Sequence, residues 1–245
     1  MVSICPRSLL SICCLLISLS TLVAAPASER SSLQPSPDEQ PLISSDQQLN
    51  KKETEQFLVR LAQARKQAGD TEVSFREKRF FPFMDKPIET TGTLAFHPPN
   101  SFRRNVNQGS LTVSNGKTLW IYEPTLYQVE IYDLAQTPFL KDTLTTLTAA
   151  LSADQLSTLF HCTVSRNKNE NVTLTLIPRT ALRKVASKVV LVLRPNFSAA
   201  QLEIYSPEGD RTFTTFGVES HTRFSPATFE FRSPPNTRVS RPLAK

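Results

Sequence analysis

Val113-Ser114-Asn115-Gly116-Lys117-Thr118-Leu119-Trp120-Ile121-Tyr122-Glu123-Pro124 is the stretch on which the reading of this chain turns. Leu111-Thr112-Val113 and Leu119-Trp120-Ile121-Tyr122 are β-branched, aliphatic and aromatic, with Asn-Gly between them. Asn and Gly tolerate positive φ, so the spacing predicts a β-hairpin closed by a type I′ turn over Asn115 and Gly116. Gly116-Lys117-Thr118 also resembles the end of a phosphate-binding loop. Such a loop needs a glycine five residues before Gly116, where Leu111 stands, and a following helix, where a strand is expected, so the hairpin is retained.

Moving outward, a period of two continues on both sides. Glu72 to Phe81, Ile88 to His97, Ser101 to Val106, Ser110 to Ser114, Thr118 to Glu123 and Tyr127 to Asp133 are short segments separated by Pro, Gly and Asn. Strand-like segments resume at His161 to Arg166, Asn171 to Ile177, Lys188 to Arg194, Ala200 to Ser206, Arg211 to Glu219 and Thr228 to Arg232. Two regions switch to a helical period. In Lys51 to Ala68, Phe57, Leu58, Leu61, Ala62, Ala64 and Ala68 share one side of an amphipathic helix that Gly69 ends. In Thr137 to Phe160, Phe139, Leu140, Leu144, Leu147, Leu151, Leu156 and Leu159 recur at helical spacings, with Ser152 as an N-cap. The expected fold is one curved antiparallel sheet of about 11 strands, an unclosed barrel whose apolar side is covered by helices.

The ends of the chain are of a different kind. Arg7, the apolar run Leu9 to Val23 and Ala25-Pro26-Ala27 read as a secretory signal peptide over residues 1–27, cleaved after Ala27. The run is about 15 residues, short of the roughly 20 that span a bilayer. Ile12 before Cys13 gives no lipoprotein-anchor pattern. Residues 28–50, rich in Ser, Pro, Gln and Asp, read as a flexible linker; residues 51–239 form the domain and 240–245 a tail. Of the 4 cysteines only Cys162 lies beyond the signal, so a disulfide-stapled module is excluded and stability must come from the core. The net charge of +6 is not spread evenly, for Arg179 to Lys245 holds 11 basic against 5 acidic residues. These are scattered through β-like segments without a dense patch, so no nucleic-acid partner is expected.

Catalytic and metal signatures are not found. His97, His161 and His221 have no ligand partners at zinc spacing. Cys162, adjacent to His161 in a strand, points to the opposite face and reads as a small core residue. What the chain has in surplus is apolar strand side chains: Phe75, Phe80, Phe81, Phe83, Leu94, Phe96, Phe102, Trp120 and Tyr122. They suit either a solid core or an acyl-chain cavity, because burial stabilises a chain by about 0.8 kcal/mol per CH₂ in both.

The order of these motifs resembles the outer-membrane lipoprotein carrier protein family (LolA). The residues that carry the resemblance are Val73-Ser74-Phe75, Gly92-Thr93-Leu94, Pro99-Asn100-Ser101-Phe102-Arg103, the hairpin Val113 to Pro124 with Gln128, Thr137-Pro138-Phe139-Leu140, and Phe229-Glu230-Phe231 with Pro234-Pro235. The resemblance implies an incomplete β-barrel under a helical lid and no cofactor or metal. It implies a monomeric periplasmic chaperone of Gram-negative bacteria that carries triacylated lipoproteins from an inner-membrane ABC lipoprotein-release transporter to an outer-membrane lipoprotein acceptor. The lid would be Lys51 to Ala68 with Phe139 to Leu159, and Phe57, Leu61, Phe139, Leu140, Leu144 and Leu147 would face the cavity. Pro98 stands where the family has an arginine that latches the lid, leaving Arg103, Arg104 and Arg79 as substitute candidates. Arg104 replaces a usual aromatic and Glu77 a usual Gln. Two other readings stay open: a periplasmic lipid- or amphiphile-binding protein or envelope-stress sensor of the same fold, and an exported hydrolase with an unrecognised site.

Overall fold

The computed structural model describes residues 47–137, 140, 156–179 and 181–242. The signal peptide, most of the linker, and Phe139, Leu144 and Leu147 lie outside the described residues.

Helix α1 runs Lys51–Ala68, as the amphipathic period requires. Its start is a capping box: Glu53 N donates to Asn50 Oδ1 at 3.0 Å, and Asn50 N donates to Glu53 Oε2 at 2.8 Å. Its end is Gly69, which takes φ +63. Thr54, Phe57, Leu61 and Arg65 form its buried stripe.

Among the described residues the chain forms thirteen strands: β1 Gln47–Gln48, β2 Thr71–Phe80, β3 Ile88–His97, β4 Ser101–Val106, β5 Leu111–Asn115, β6 Thr118–Glu123, β7 Gln128–Asp133, β8 Phe160–Arg166, β9 Val172–Pro178, β10 Lys188–Leu193, β11 Ala199–Tyr205, β12 Arg211–Phe216 and β13 Arg238–Ser240. A short helix, α2 Leu156–Leu159, leads into β8. All thirteen strands belong to one sheet in the order β1-β8-β9-β10-β11-β12-β2-β3-β4-β5-β6-β7-β13. It is two antiparallel meanders, β2 to β7 and β8 to β12, joined where β12 pairs with β2. The sheet is unclosed, with β1 and β13 at its edges, and only β13 pairs in parallel, against β7. The chain between β7 and β8, here called the crossover, joins strands near opposite ends of the sheet order.

The expected count of about eleven strands omits β1 and β13. Gln47 and Gln48 pair with Arg166 and Ser165, so the last part of the expected linker belongs to the fold. The expected strand at Thr228 to Arg232 is absent: Pro226–Phe229 is a 3-10 turn, and the strand comes later, at Arg238–Ser240. Its Phe alternation serves ring stacking instead, with Phe229 on His97 and Phe231 on Tyr122.

The hairpin forms, but not around the expected turn. Only Gly116 takes positive φ, +82. The loop is therefore Gly116–Lys117 with glycine first, as type II′ geometry demands, rather than type I′ over Asn115–Gly116. Asn115 caps it with its side chain, Oδ1 accepting from Lys117 N at 3.0 Å and Thr118 N at 2.8 Å.

Register sorts the side chains into two faces, since directly paired residues share a face. Leu119, Ser114, Phe102 and Phe96 form one inner row, and Ile121, Thr112, Arg104 and Leu94 the next. Trp120, Val113, Arg103 and Ala95 form an outer row. On the inner face the apolar residues gather in two clusters. One joins Phe57 and Leu61 of α1 to β8, β9 and β10, including Phe160, Leu174 and Leu191. The other joins Phe96, Phe102, Leu119, Ile121 and Tyr132 to Leu134 and Leu140 from the chain leaving β7.

Candidate functional site

The inner face is the candidate site, and its two halves are covered differently. Over β8 to β12, α1 inserts Phe57 and Leu61, which are 1% and 0% exposed. Phe57 packs its ring 5.7 Å from that of Phe197. The last turn of α1 is pinned by an ion pair: Arg65 Nη1 and Nη2 donate to the two Glu219 oxygens at 2.8 and 2.6 Å, with the side chains 3% and 8% exposed. A gap of about 290 Å³ remains between α1 and β8, bordered by Leu58, Phe160 and Cys162. Cys162 is half-buried against this cluster, and burial pushes its thiol up to about 11. Over β3 to β7, Leu134 and Leu140 of the crossover supply the described apolar cover.

Between the clusters the inner face is polar. Arg104 Nη2 donates to both Glu77 oxygens at 3.2 Å, and Thr214 Oγ1 donates to Glu77 Oε2 at 3.5 Å. The Arg104 guanidinium lies 4.7 Å from the Phe75 ring centroid. Burial pulls the Arg104 pKa below its ordinary value; the nearby Arg79 charge adds to this, and Glu77 opposes it. Arg79 is buried, with its guanidinium 4.9 Å from the Phe81 ring centroid. Phe75 lies against Gly92, where a Cβ would come within 2.8 Å of its ring and 2.1 Å of Asn105 O. Glycine is required here by close approach.

Of the residues expected to face a cavity, Phe57, Leu61, Phe75, Leu94, Phe96, Phe102 and Leu140 are on or against the inner face. Trp120 and Tyr122 are not. Strand parity gives the inner positions of β6 to Leu119 and Ile121 and turns Trp120 and Tyr122 outward. There Tyr122 stacks on Phe231 at 5.3 Å, and Trp120 borders a hollow of about 400 Å³ with Ile131 and Arg241. Among the latch candidates, Arg103 is also outward: its Nη1 donates to Thr228 O at 3.3 Å, tying down the C-terminal strap, the chain between β12 and β13. Arg104 and Arg79 are inward. The strap is held further by Asp70, whose Oδ1 lies 2.5 Å from His97 Nδ1 and whose Oδ2 accepts from Phe224 N at 2.8 Å.

Sequence reasoning missed the grouping of the polar residues on this face, because Glu77, Arg104 and Thr214 meet only through strand register. The signal that was present is a charged residue at an inward parity position, Arg104, flanked by apolar inward neighbours Phe102 and Val106.

The family model for the outer-membrane lipoprotein carrier protein LolA matches residues 67–232, which hold every strand from β2 to β12 and both inner-face clusters apart from the α1 residues. The chain belongs to the LolA family. Its relatives include an outer-membrane lipoprotein carrier protein of Azotobacter vinelandii, 31% identical over 159 residues, covering 62% of this chain and 72% of that protein. A second, of Aliivibrio salmonicida, is 27% identical over 154 residues, covering 59% of this chain and 71% of that one. Among solved structures, a LolA superfamily protein of Nitrosomonas europaea aligns over 73% of this chain and 97% of its own, with 13% identity and a TM-score of 0.40. The matching family is one of carrier proteins, not a catalytic one.

Proposed function

We propose that this LolA-family protein is a periplasmic carrier that shields the acyl chains of lipoproteins on the inner face of its sheet. In this role it collects triacylated lipoproteins released by an inner-membrane ABC transporter and hands them to an outer-membrane acceptor. The observation that carries the reading is the split apolar inner face within the family-matched region. One half is closed by α1. The other presents Phe96, Phe102, Leu119 and Ile121 to the crossover chain rather than to a second sheet. Acyl chains ask only for apolar surface, and a cover that competes with them keeps binding moderate enough for the cargo to pass on. In this proposal α1 and the crossover form the lid, with Phe57, Leu61, Leu140, Phe139, Leu144 and Leu147 facing the chains. Arg104 and Arg79 remain the latch candidates.

The test is reconstitution. The chain from Ser28 onward is incubated with inner-membrane vesicles bearing a triacylated lipoprotein and its release transporter. A soluble one-to-one complex that then delivers the lipoprotein to outer-membrane vesicles supports the reading. Lipoprotein that stays in the donor vesicles regardless of the protein contradicts it.

A further inference from the structure

The loop between β2 and β3, Phe81 to Pro87, turns aromatic side chains away from the core. Met84 N donates to Phe81 O at 3.0 Å to close a tight turn, and Phe83 at its tip is 73% exposed. The Phe81 and Phe83 rings lie 5.4 Å apart, so each rests on the other. Pro82 sits against Gly209 of the β11–β12 turn, where a Cβ would come within 3.2 Å of its ring, and this fixes the tip to its neighbour. A large aromatic surface held out in water, on a loop anchored in this way, marks a contact with something apolar.

Strand register surrounds this tip with cations. Lys188, Tyr205, Arg211 and Phe80 are successive direct partners across β10, β11, β12 and β2. Lys188 Nζ lies 4.0 Å from the Tyr205 ring centroid, and the Arg211 guanidinium 4.2 Å from that of Phe80. Lys86 on the loop itself, with Arg183 and Lys184 in the turn before β10, is exposed. Two of the carboxylates at this end are engaged: Glu89 pairs with Lys78 at 3.4 Å, and Glu203 accepts from the Tyr205 hydroxyl. Asp85, Glu208 and Asp210 are outnumbered by Lys86, Arg183, Lys184, Lys188 and Arg211.

Antiparallel pairing from β2 to β7 puts the β6–β7 turn at the same end of the sheet, and there Leu126 and Tyr127 are 47% and 62% exposed. The two apolar tips are four strand spacings apart in the sheet order, about 19 Å along it. Separate protruding tips at that distance suit an extended surface better than a single pocket in a partner protein. Rings that enter at head-group level beside Lys and Arg that reach phosphate are the arrangement a bilayer interface favours.

We propose that this end of the sheet docks on an anionic lipid bilayer. Phe81 and Phe83 enter the interface, Leu126 and Tyr127 make a second contact, and Lys86, Arg183, Lys184 and Lys188 meet the lipid phosphates. This docking surface is separate from the acyl-chain face and does not depend on it.

The experiment floats the chain from Ser28 onward, stripped of lipid, with vesicles of phosphatidylcholine alone or mixed with phosphatidylglycerol. The wild type partitions onto the mixed vesicles at least about tenfold better than onto the neutral ones, and high salt removes most of the difference. Phe83→Ser with Leu126→Ser lowers the partition at least about tenfold, because two apolar side chains no longer leave water. Lys86→Glu with Lys184→Glu abolishes the preference for phosphatidylglycerol. All four positions are exposed, and binding of a fluorescent fatty acid is unchanged in both variants. In a Trp120→Phe background, Phe83→Trp is quenched by brominated lipid, whereas Val218→Trp, at the opposite end just past β12 and 90% exposed in the native chain, is not. No flotation with either vesicle overturns the proposal and leaves the tips to a protein partner. Flotation of the serine variant equal to that of the wild type overturns it too, as does equal quenching at positions 83 and 218. A wild type that floats but binds no fatty acid supports the docking surface and contradicts the acyl-chain reading instead.

Discussion

Replacing Arg65 by Met strikes the contact that pins α1 to the chain beyond β12. The pair is doubly hydrogen-bonded at 2.8 and 2.6 Å and almost sealed from water, at 3% and 8% exposure. At a charge separation of about 4 Å and an effective dielectric of about 20, its mutual attraction is about 4 kcal/mol. Losing one partner strands Glu219 as a buried, uncompensated carboxylate, and such losses cost about 3–5 kcal/mol. Against a typical total of about 5–15 kcal/mol, the variant gives up about a fifth or more of its stability. For a domain of this size the melting temperature falls by about 6–20 °C. Trp120, the single tryptophan, reports urea unfolding directly. The paired replacement Arg65→Met with Glu219→Leu restores most of the loss, because two apolar groups of similar volume replace two charges. A loss below about 1 kcal/mol for Arg65→Met would refute the reasoning, as would a double variant whose loss equals the sum of the two singles.

Three further outcomes follow from the same geometry. Phe96→Ala and Tyr122→Ala remove aromatic rings on opposite faces; each destabilises by about 3–5 kcal/mol at most, but only Phe96→Ala weakens binding of a fluorescent fatty acid, whereas Tyr122→Ala loosens the strap through Phe231 and is read by faster proteolysis after Phe224. Cys162, with its thiol pushed up to about 11 by burial, is about one part in a thousand thiolate at pH 8, so a thiol-labelling reagent modifies it slowly in buffer and rapidly in urea. The carboxyl of Asp70 feels burial that raises its pKa, but the Phe224 amide and His97 outweigh this and hold it below the ordinary carboxylate value. A depressed acid stabilises the fold above its unfolded pKa of about 3.9 and loses that contribution as pH falls through the lower folded value. Acid titration of unfolding therefore shows a loss below about pH 4 that Asp70→Asn lacks.

Much of the sheet is legible in the chain because half-buried strands alternate. Ile88–His97, Ser101–Val106 and Thr118–Glu123 appear at the boundaries that alternation and turn residues imply. The α1 helix is equally legible, since an apolar stripe, an Asn50–Glu53 cap and a terminal glycine agree. The edge strands are not: Gln47–Gln48 and Arg238–Ser240 are too short and polar to show a period, and they form because a longer neighbour offers unpaired backbone. The parity of β6 is hidden because both of its faces are apolar, Leu119 and Ile121 on one side and Trp120 and Tyr122 on the other. Burial alone chooses between them, through Phe102 and Tyr132 inside and Phe231 outside. The Arg104–Glu77 pair is hidden for a different reason. Its members are 27 residues apart on strands separated by β3, and their contact depends on register and on Gly92 leaving room for Phe75. Arg103 and Arg104 are neighbours in sequence and stand on opposite faces, so which of them can meet a cover over the inner face is decided only by the pairing of β4.

The central claim is that the inner face holds acyl chains, and mass spectrometry of the protein purified intact from its native envelope tests it most directly. The account predicts acylated cargo at one per chain, retained by the wild type and lost when Phe96 and Leu119 are replaced together by Asp. A wild-type protein that leaves the envelope carrying no acylated molecule, with the same spectrum as the double variant, would contradict it.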